Sequence, residues 1–136
     1  MTQGWTITSL KSALEGAFDE DEATLSELQG GAALQVRFPD HGDLEVTVTV
    51  AGEQLLASTL LWPRASQAAP TNFEEHALRI HKFLPLSTFG ITTVDGEDWY
   101  ELFGALSANA TLEDVLMELQ RLAQNAVDVA EANAAA

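Results

Sequence analysis

The sequence predicts an α+β fold: an antiparallel sheet of about five strands, in the order helix, three strands, helix, two strands, helix. Two observations on the 136-residue chain carry that prediction. Apolar residues recur at spacings of three and four near both ends and once in the middle, the period of a helix with one buried stripe. Between those segments the period drops to two in AALQVRF and LEVTVTV, and turn residues separate the runs, at Pro39-Asp40 with Gly42, at Ala51-Gly52-Glu53 and at Asp95-Gly96.

The first helix is expected over 6–18, capped by Thr6, stapled by Trp5 and Leu10, with Ile7, Leu10, Leu14 and Ala17 as its stripe. The acids Asp19-Glu20-Asp21-Glu22 follow. Calcium loops alternate their oxygen ligands around a glycine, and these four acids are contiguous with none inside the run, so they read as a solvated connector. Leu34, Val36 and Phe38 then form one strand face, and Leu44, Val46, Val48 and Val50 the next. The third run, QLLASTLLW, is apolar on both faces and ends at Pro63, which suits a central or doubly covered strand. Thr71 and Glu74 have capping-box spacing and Pro85 forbids continuation, so the middle helix is expected over 72–84, with Phe73, Ala77, Ile80 and Leu84 buried. A second hairpin comes from STFGITTV and DWYELFGAL. Thr111 with Asp114 opens the last helix, whose stripe is Leu112, Val115, Leu119, Leu122, Ala126 and Val129. One domain spanning 1–136 is expected, with residues 131–136 as a frayed tail.

Composition narrows the function classes. A hydrophobic content of 46% excludes a wholly disordered chain despite a formal charge of −15 from twenty-one acids and six bases. So acidic a surface repels phosphates, and six scattered bases cannot form a nucleic-acid footprint. Without cysteine there is no disulfide, thiolate zinc site or cysteine nucleophile, which suits a reducing compartment. No basic start with an apolar core opens the chain, and no run approaches the ~20 apolar residues of a membrane span. A cytoplasmic location without membrane insertion is the expectation.

Chemistry is sparse. His76, His81, Arg79, Lys82, Glu74 and Glu75 cluster, but on a helix His76 and His81 point about 140° apart, which defeats a shared metal. Glu75 and Arg79 fit an exposed i,i+4 pair, and the remaining charges suit the helix dipole. The nucleophile-elbow, phosphate-loop, zincin and dinucleotide motifs are absent. No cofactor and no metal are expected. An enzyme reading would need a site assembled from distant residues, around His41 or His76 with a carboxylate.

The segment HKFLPLSTFGIT at 81–92, with Trp5-Thr6 near the start, resembles the uncharacterised bacterial YjfI family over nearly the whole chain. That resemblance implies a cytoplasmic bacterial protein with no assigned activity, often encoded beside a PspA-like coiled-coil membrane-stress protein. The element order resembles that of type III secretion chaperones, a fold in which the middle helix and the next strand commonly form a homodimer interface. The expected function is a non-enzymatic, chaperone-like or adaptor protein-binding module. A regulatory adaptor of a PspA-like protein and a small enzyme are the alternatives. Apolar residues beyond one stripe point to Leu78, Phe83, Leu86, Phe89 and Ile91 as the partner or dimer interface, with a homodimer favoured.

Overall fold

Period two and period 3.6 sort the chain into six strands and three helices in the computed structural model, which describes residues 4–135. Helix α1 (Ile7–Ala17) begins at a capping box in which the Ser9 amide donates to Thr6 Oγ1 and the Thr6 amide to Ser9 Oγ, at 3.1 and 3.0 Å. Strands β1 (Thr24–Leu28), β2 (Ala33–Phe38), β3 (Leu44–Ala51) and β4 (Gln54–Pro63) follow as a meander. Helix α2 (Pro70–Ile80) continues into a 3-10 turn, His81–Phe83, then the hairpin of β5 (Thr88–Val94) and β6 (Glu97–Ser107), then α3 (Leu112–Ala135). The sheet order is β1-β2-β3-β4-β6-β5, every pair antiparallel.

The sequence expectation of about five strands is one short. The added strand, β1, pairs with β2 and follows directly on the acidic connector, whose residues 19–22 are exposed as expected. Residues paired across a ladder share a face, so Leu25, opposite Val36, and Glu27, opposite Leu34, are its only core-facing members. One leucine gives too little alternation to announce a strand.

The registers set out the core-facing side of the sheet: Leu34, Val36, Val46, Val48, Leu55, Ala57, Leu102 and, near the β5 edge, Phe89 and Tyr100. Leu10, Leu14 and Phe18 of the α1 segment and Val115, Leu119, Leu122 and Ala126 of α3 pack into this same cluster. Strand β4 is central, as its sequence suggests. Only its Leu55–Ala57–Thr59 side is buried; on the opposite side Leu60 is 41% exposed, because all three helices lie on one face. Helix α3 opens with the Asp114 amide donating to Thr111 Oγ1 at 3.1 Å and runs on through 131–135, where a frayed tail was expected; Ala136 lies outside the described residues. At the second hairpin Asp95 and Gly96 both take positive φ, +51° and +80°, the geometry that matches strand twist in a two-residue turn.

The middle helix departs from expectation at both ends. It starts at Pro70, after Ala69, and not from a Thr71–Glu74 box, because the Glu74 carboxylate is engaged elsewhere. It ends at Ile80, four residues early: the 3-10 turn carries the chain toward Leu84, whose ψ of 107° is the extended conformation that a following proline demands.

Candidate functional site

Where α2 meets the β5–β6 hairpin, five aromatic contacts join four rings. Phe73 of α2 packs against Trp62, Tyr100 and Phe89 with centroids 5.7, 5.0 and 5.7 Å apart; Tyr100 in turn meets Trp62 edge-on and stacks on Phe89. Three polar links fix the same region. Glu74 accepts from the Tyr100 hydroxyl at 2.7 Å and from Arg64 Nε and Nη2 at 2.5 and 3.3 Å, tying α2 to β6 and to the turn after β4. The Arg64 and Tyr100 bonds hold the Glu74 carboxyl below the usual carboxylate range, while burial first and Glu74 second push the Tyr100 hydroxyl up to about 12. The Phe89 amide donates to His81 Nε2 at 3.2 Å, so the imidazole of His81 is an acceptor at that nitrogen. Buried Asn125 of α3 donates to Pro85 O at 2.8 Å and to Ser87 Oγ at 2.9 Å.

Between α2, its 3-10 extension and the end of α3 lies a half-open groove of about 310 Å³. Phe73, Ala77, Ile80 and Leu84 line one wall, Val129, Ala132 and Asn133 the other, and Phe89 also lines it. His76, His81 and Phe83 complete the lining, so no acidic residue faces the groove. The structure therefore brings His76 and His81 to one cavity, although a continuous helix would point them apart: the change to a 3-10 turn at His81 redirects the second ring. Neither hydrogen-bonds a carboxylate in the network above, and no group of three His, Asp or Glu side chains among the described residues is placed to hold a metal ion. His41 sits in the turn between β2 and β3, edge-on to Phe38 at 5.8 Å, and does not line the groove.

The residues expected at an interface divide. Leu78, Phe83, Leu86 and Ile91 are 71, 74, 56 and 47% exposed. Phe89, by contrast, is half-buried, stacked on Tyr100 beside the groove. Ile80, expected in the buried stripe, is 47% exposed on the groove wall. Sequence reasoning missed the Arg64–Glu74–Tyr100 network, since its partners lie far apart along the chain, and the place of Ala132 and Asn133 on the groove, which lie beyond the predicted stripe ending at Val129. Among the described residues no helix is long and apolar enough to cross a membrane.

Fold and face together define a small α+β protein whose sheet is covered on one side and whose α2–β5 end presents apolar side chains to solvent. The chain belongs to the bacterial family DUF2170, described as an uncharacterized protein conserved in bacteria, which matches residues 4–135. It is 36% identical over 128 residues to the uncharacterized protein YjfI of Escherichia coli, from strain K12 and from O157:H7 alike, covering 93% of this chain and 93% of each relative. Among solved structures, its fold is similar to that of YbjN from E. coli, with a TM-score of 0.73 at 16% identity over 96% of this chain and 92% of that one. It is also similar to a chain in the crystal structure of the ExsC–ExsE complex, with a TM-score of 0.61 at 15% identity over 93% and 92%. The alternation of helices and antiparallel strands read from the sequence is thus found in three dimensions, with one strand more before the middle helix, in a fold similar to that chain's.

Proposed function

We propose that this protein is a non-enzymatic protein-binding module, chaperone-like or an adaptor, that works in the cytoplasm and contacts its partner through the α2–β5 face. One observation carries the reading. Six of the eight large apolar side chains exposed among the described residues, Leu78, Ile80, Phe83, Leu86, Ile91 and Val94, fall within seventeen consecutive positions. Exposed apolar side chains gathered this densely on one segment mark an interaction site, though Val94 lies on the opposite sheet face from Ile91, and the aromatic packing and polar links beside Phe73 and Phe89 hold the segment in shape without burying it. The ExsC–ExsE structure supports the reading by showing a protein of this fold in a complex with another protein. An enzyme built on His41 or His76 lacks support of equal weight, since among the described residues no cluster of acidic or histidine side chains gathers around either ring.

The test is capture with purified bait. A protein retained by the wild-type chain and lost with Leu78→Ser/Phe83→Ser, variants that leave the core untouched, supports the reading; a PspA-like coiled-coil protein is the first to mix with it. Retention unchanged by the double variant, at about 0.05 M and at about 0.5 M salt, contradicts it.

A further inference from the structure

We infer that the groove between α2 and α3 is a binding site for a small apolar molecule that ends in a carboxylate, a role independent of the protein-binding reading of the neighbouring surface. The walls of the groove are set by contacts outside it. Asn125 of α3, 2% exposed, donates to the Pro85 carbonyl and the Ser87 hydroxyl at 2.8 and 2.9 Å, and the Phe89 amide donates to His81, so the chain leaving α2 is fastened both to α3 and to β5. The concavity is therefore preformed. Short side chains keep it open, Ala77 on the α2 wall and Ala132 on the α3 wall, while Phe73, Ile80, Leu84 and Val129 make its surface apolar. Its volume of about 310 Å³ has room for about ten heavy atoms at roughly 30 Å³ each, and lies at the small end of the ~300–1,000 Å³ range of ligand sites.

The polar groups on that surface choose the head of the ligand. His81 Nε2 accepts from the Phe89 amide at 3.2 Å, which leaves the ring proton on Nδ1, and that donor has no acceptor among the described residues. A positive charge stands at the rim. Lys82 Nζ lies 5.3 Å from the centroid of the Phe83 ring, and that ring lines the groove. The nearest acids on both walls are turned to other work: Glu75 is paired with Arg79 at 2.7 Å, Glu74 is bound by Arg64 and Tyr100, and Asp128 accepts from Gln124 at 2.9 Å. None of them lines the groove, and neither does Glu131. A carboxylate finds a donor and a cation here, whereas an ammonium would meet a donor and a like charge.

The formal charge of −15 opposes an anion at long range, but salt confines that repulsion to about 8–10 Å, and inside that distance the lining decides. The same charge separates two sources of such a ligand. A free carboxylate reaches the groove alone, whereas a lipid in an anionic bilayer brings a whole surface of repelling headgroups and a chain longer than about ten heavy atoms. The free acid is the occupant assigned here.

Titrations of the purified chain followed by amide NMR test this with three probes of one chain length: octanoate, octanol and octylamine. Octanoate is expected to saturate with a dissociation constant on the order of 0.3 mM, the value for about ten heavy atoms at ordinary ligand efficiency, and to shift the amides of Ala77, Ile80 and Val129. Octanol is expected to bind at least about threefold more weakly and octylamine at least about tenfold. Two variants locate the site. Ala132→Trp fills the groove and is expected to abolish octanoate binding with the melting temperature held. Lys82→Gln, at an exposed side chain, is expected to weaken octanoate by about threefold or more and to leave octanol unchanged, which a change in fold would not do. Octanol binding as tightly as octanoate, octanoate unaffected by Lys82→Gln, or no saturation by about 10 mM overturns the assignment. So does protein that pellets with phosphatidylglycerol vesicles while failing to bind octanoate. Loss of octanoate binding in Ala132→Trp with partner capture retained keeps the two readings apart, because that variant leaves Leu78 and Leu86 in place.

Discussion

The sheet's covered face has two ends, and they are held by different forces. Under α1 and α3, Leu10, Leu14, Leu34, Val36, Val46, Leu119 and Leu122 are each exposed by no more than 1%, and burial alone accounts for their order. At the α2–β5 end no residue of α2 is fully buried, and geometry comes from directed bonds: Glu74 to Arg64 and Tyr100, His81 to the Phe89 amide, Asn125 across the Leu86 turn. Apolar content is high in both regions, so composition does not separate core from surface here. A face that keeps its shape without burial is one prepared to be buried by something else.

The sharpest way to break this contrast is to truncate one leucine at each end. Leu122→Ala is expected to lower the unfolding free energy by about 2–5 kcal/mol in chemical denaturation, the cost of a cavity in a closed core. Leu78→Ser, at a side chain 71% exposed, is expected to change it by less than about 0.5 kcal/mol in dilute protein. Equal losses would show that the two ends are one core.

The polar links make a smaller, pH-dependent contribution. Glu74→Gln is expected to cost about 1 kcal/mol at neutral pH, a discounted figure because Arg64 and Glu74 remain 34 and 22% exposed. The folded Glu74 carboxyl titrates below its unfolded value. Its contribution is therefore complete above the ordinary carboxylate range and is lost as pH falls through the folded value, where wild type and variant should converge.

Glu118 runs the other way, inside the core of the first end. Its carboxyl lies against Gly104 of β6, where an added Cβ would stand 2.1 Å from Oε1, and burial pushes its titration up. With a folded value above the unfolded one, its favourable contribution is full below the ordinary carboxylate range and is lost as pH rises through the folded value. Glu118→Gln is accordingly expected to raise stability at neutral pH by about 1 kcal/mol and by less near pH ~4. A variant less stable than wild type at neutral pH would show the ionised carboxylate to be satisfied.

Much of the scaffold was legible because short-range rules decide it. Thr6 and Thr111 cap the helices expected of them, the alternation at Leu34–Phe38 and Leu44–Val50 places β2 and β3, and Asp95-Gly96 sets the hairpin. Leu78, Phe83, Leu86 and Ile91 could be named because they are apolar beyond what one buried stripe needs. Phe89 could not be told from Ile91, which shares its sheet face, since what covers Phe89 is packing against Phe73 and Tyr100 from distant parts of the chain. Strand β1 escaped because a single leucine faces the core, and the start of α2 because Glu74 is drawn to Tyr100, twenty-six residues away. The left-handed turn at Leu86 has no local signature: neither leucine nor its neighbours ask for it, and the residue that enforces it lies on α3.

The central claim is that the α2–β5 end, proposed as a protein-binding face, offers apolar side chains that the fold holds in place without burying. Capture by the purified wild-type chain and by Leu78→Ser/Phe83→Ser, at about 0.05 M and about 0.5 M salt, tests it most directly. The account predicts a retained protein that the double variant loses at both salts. Retention unchanged by the double variant would contradict it.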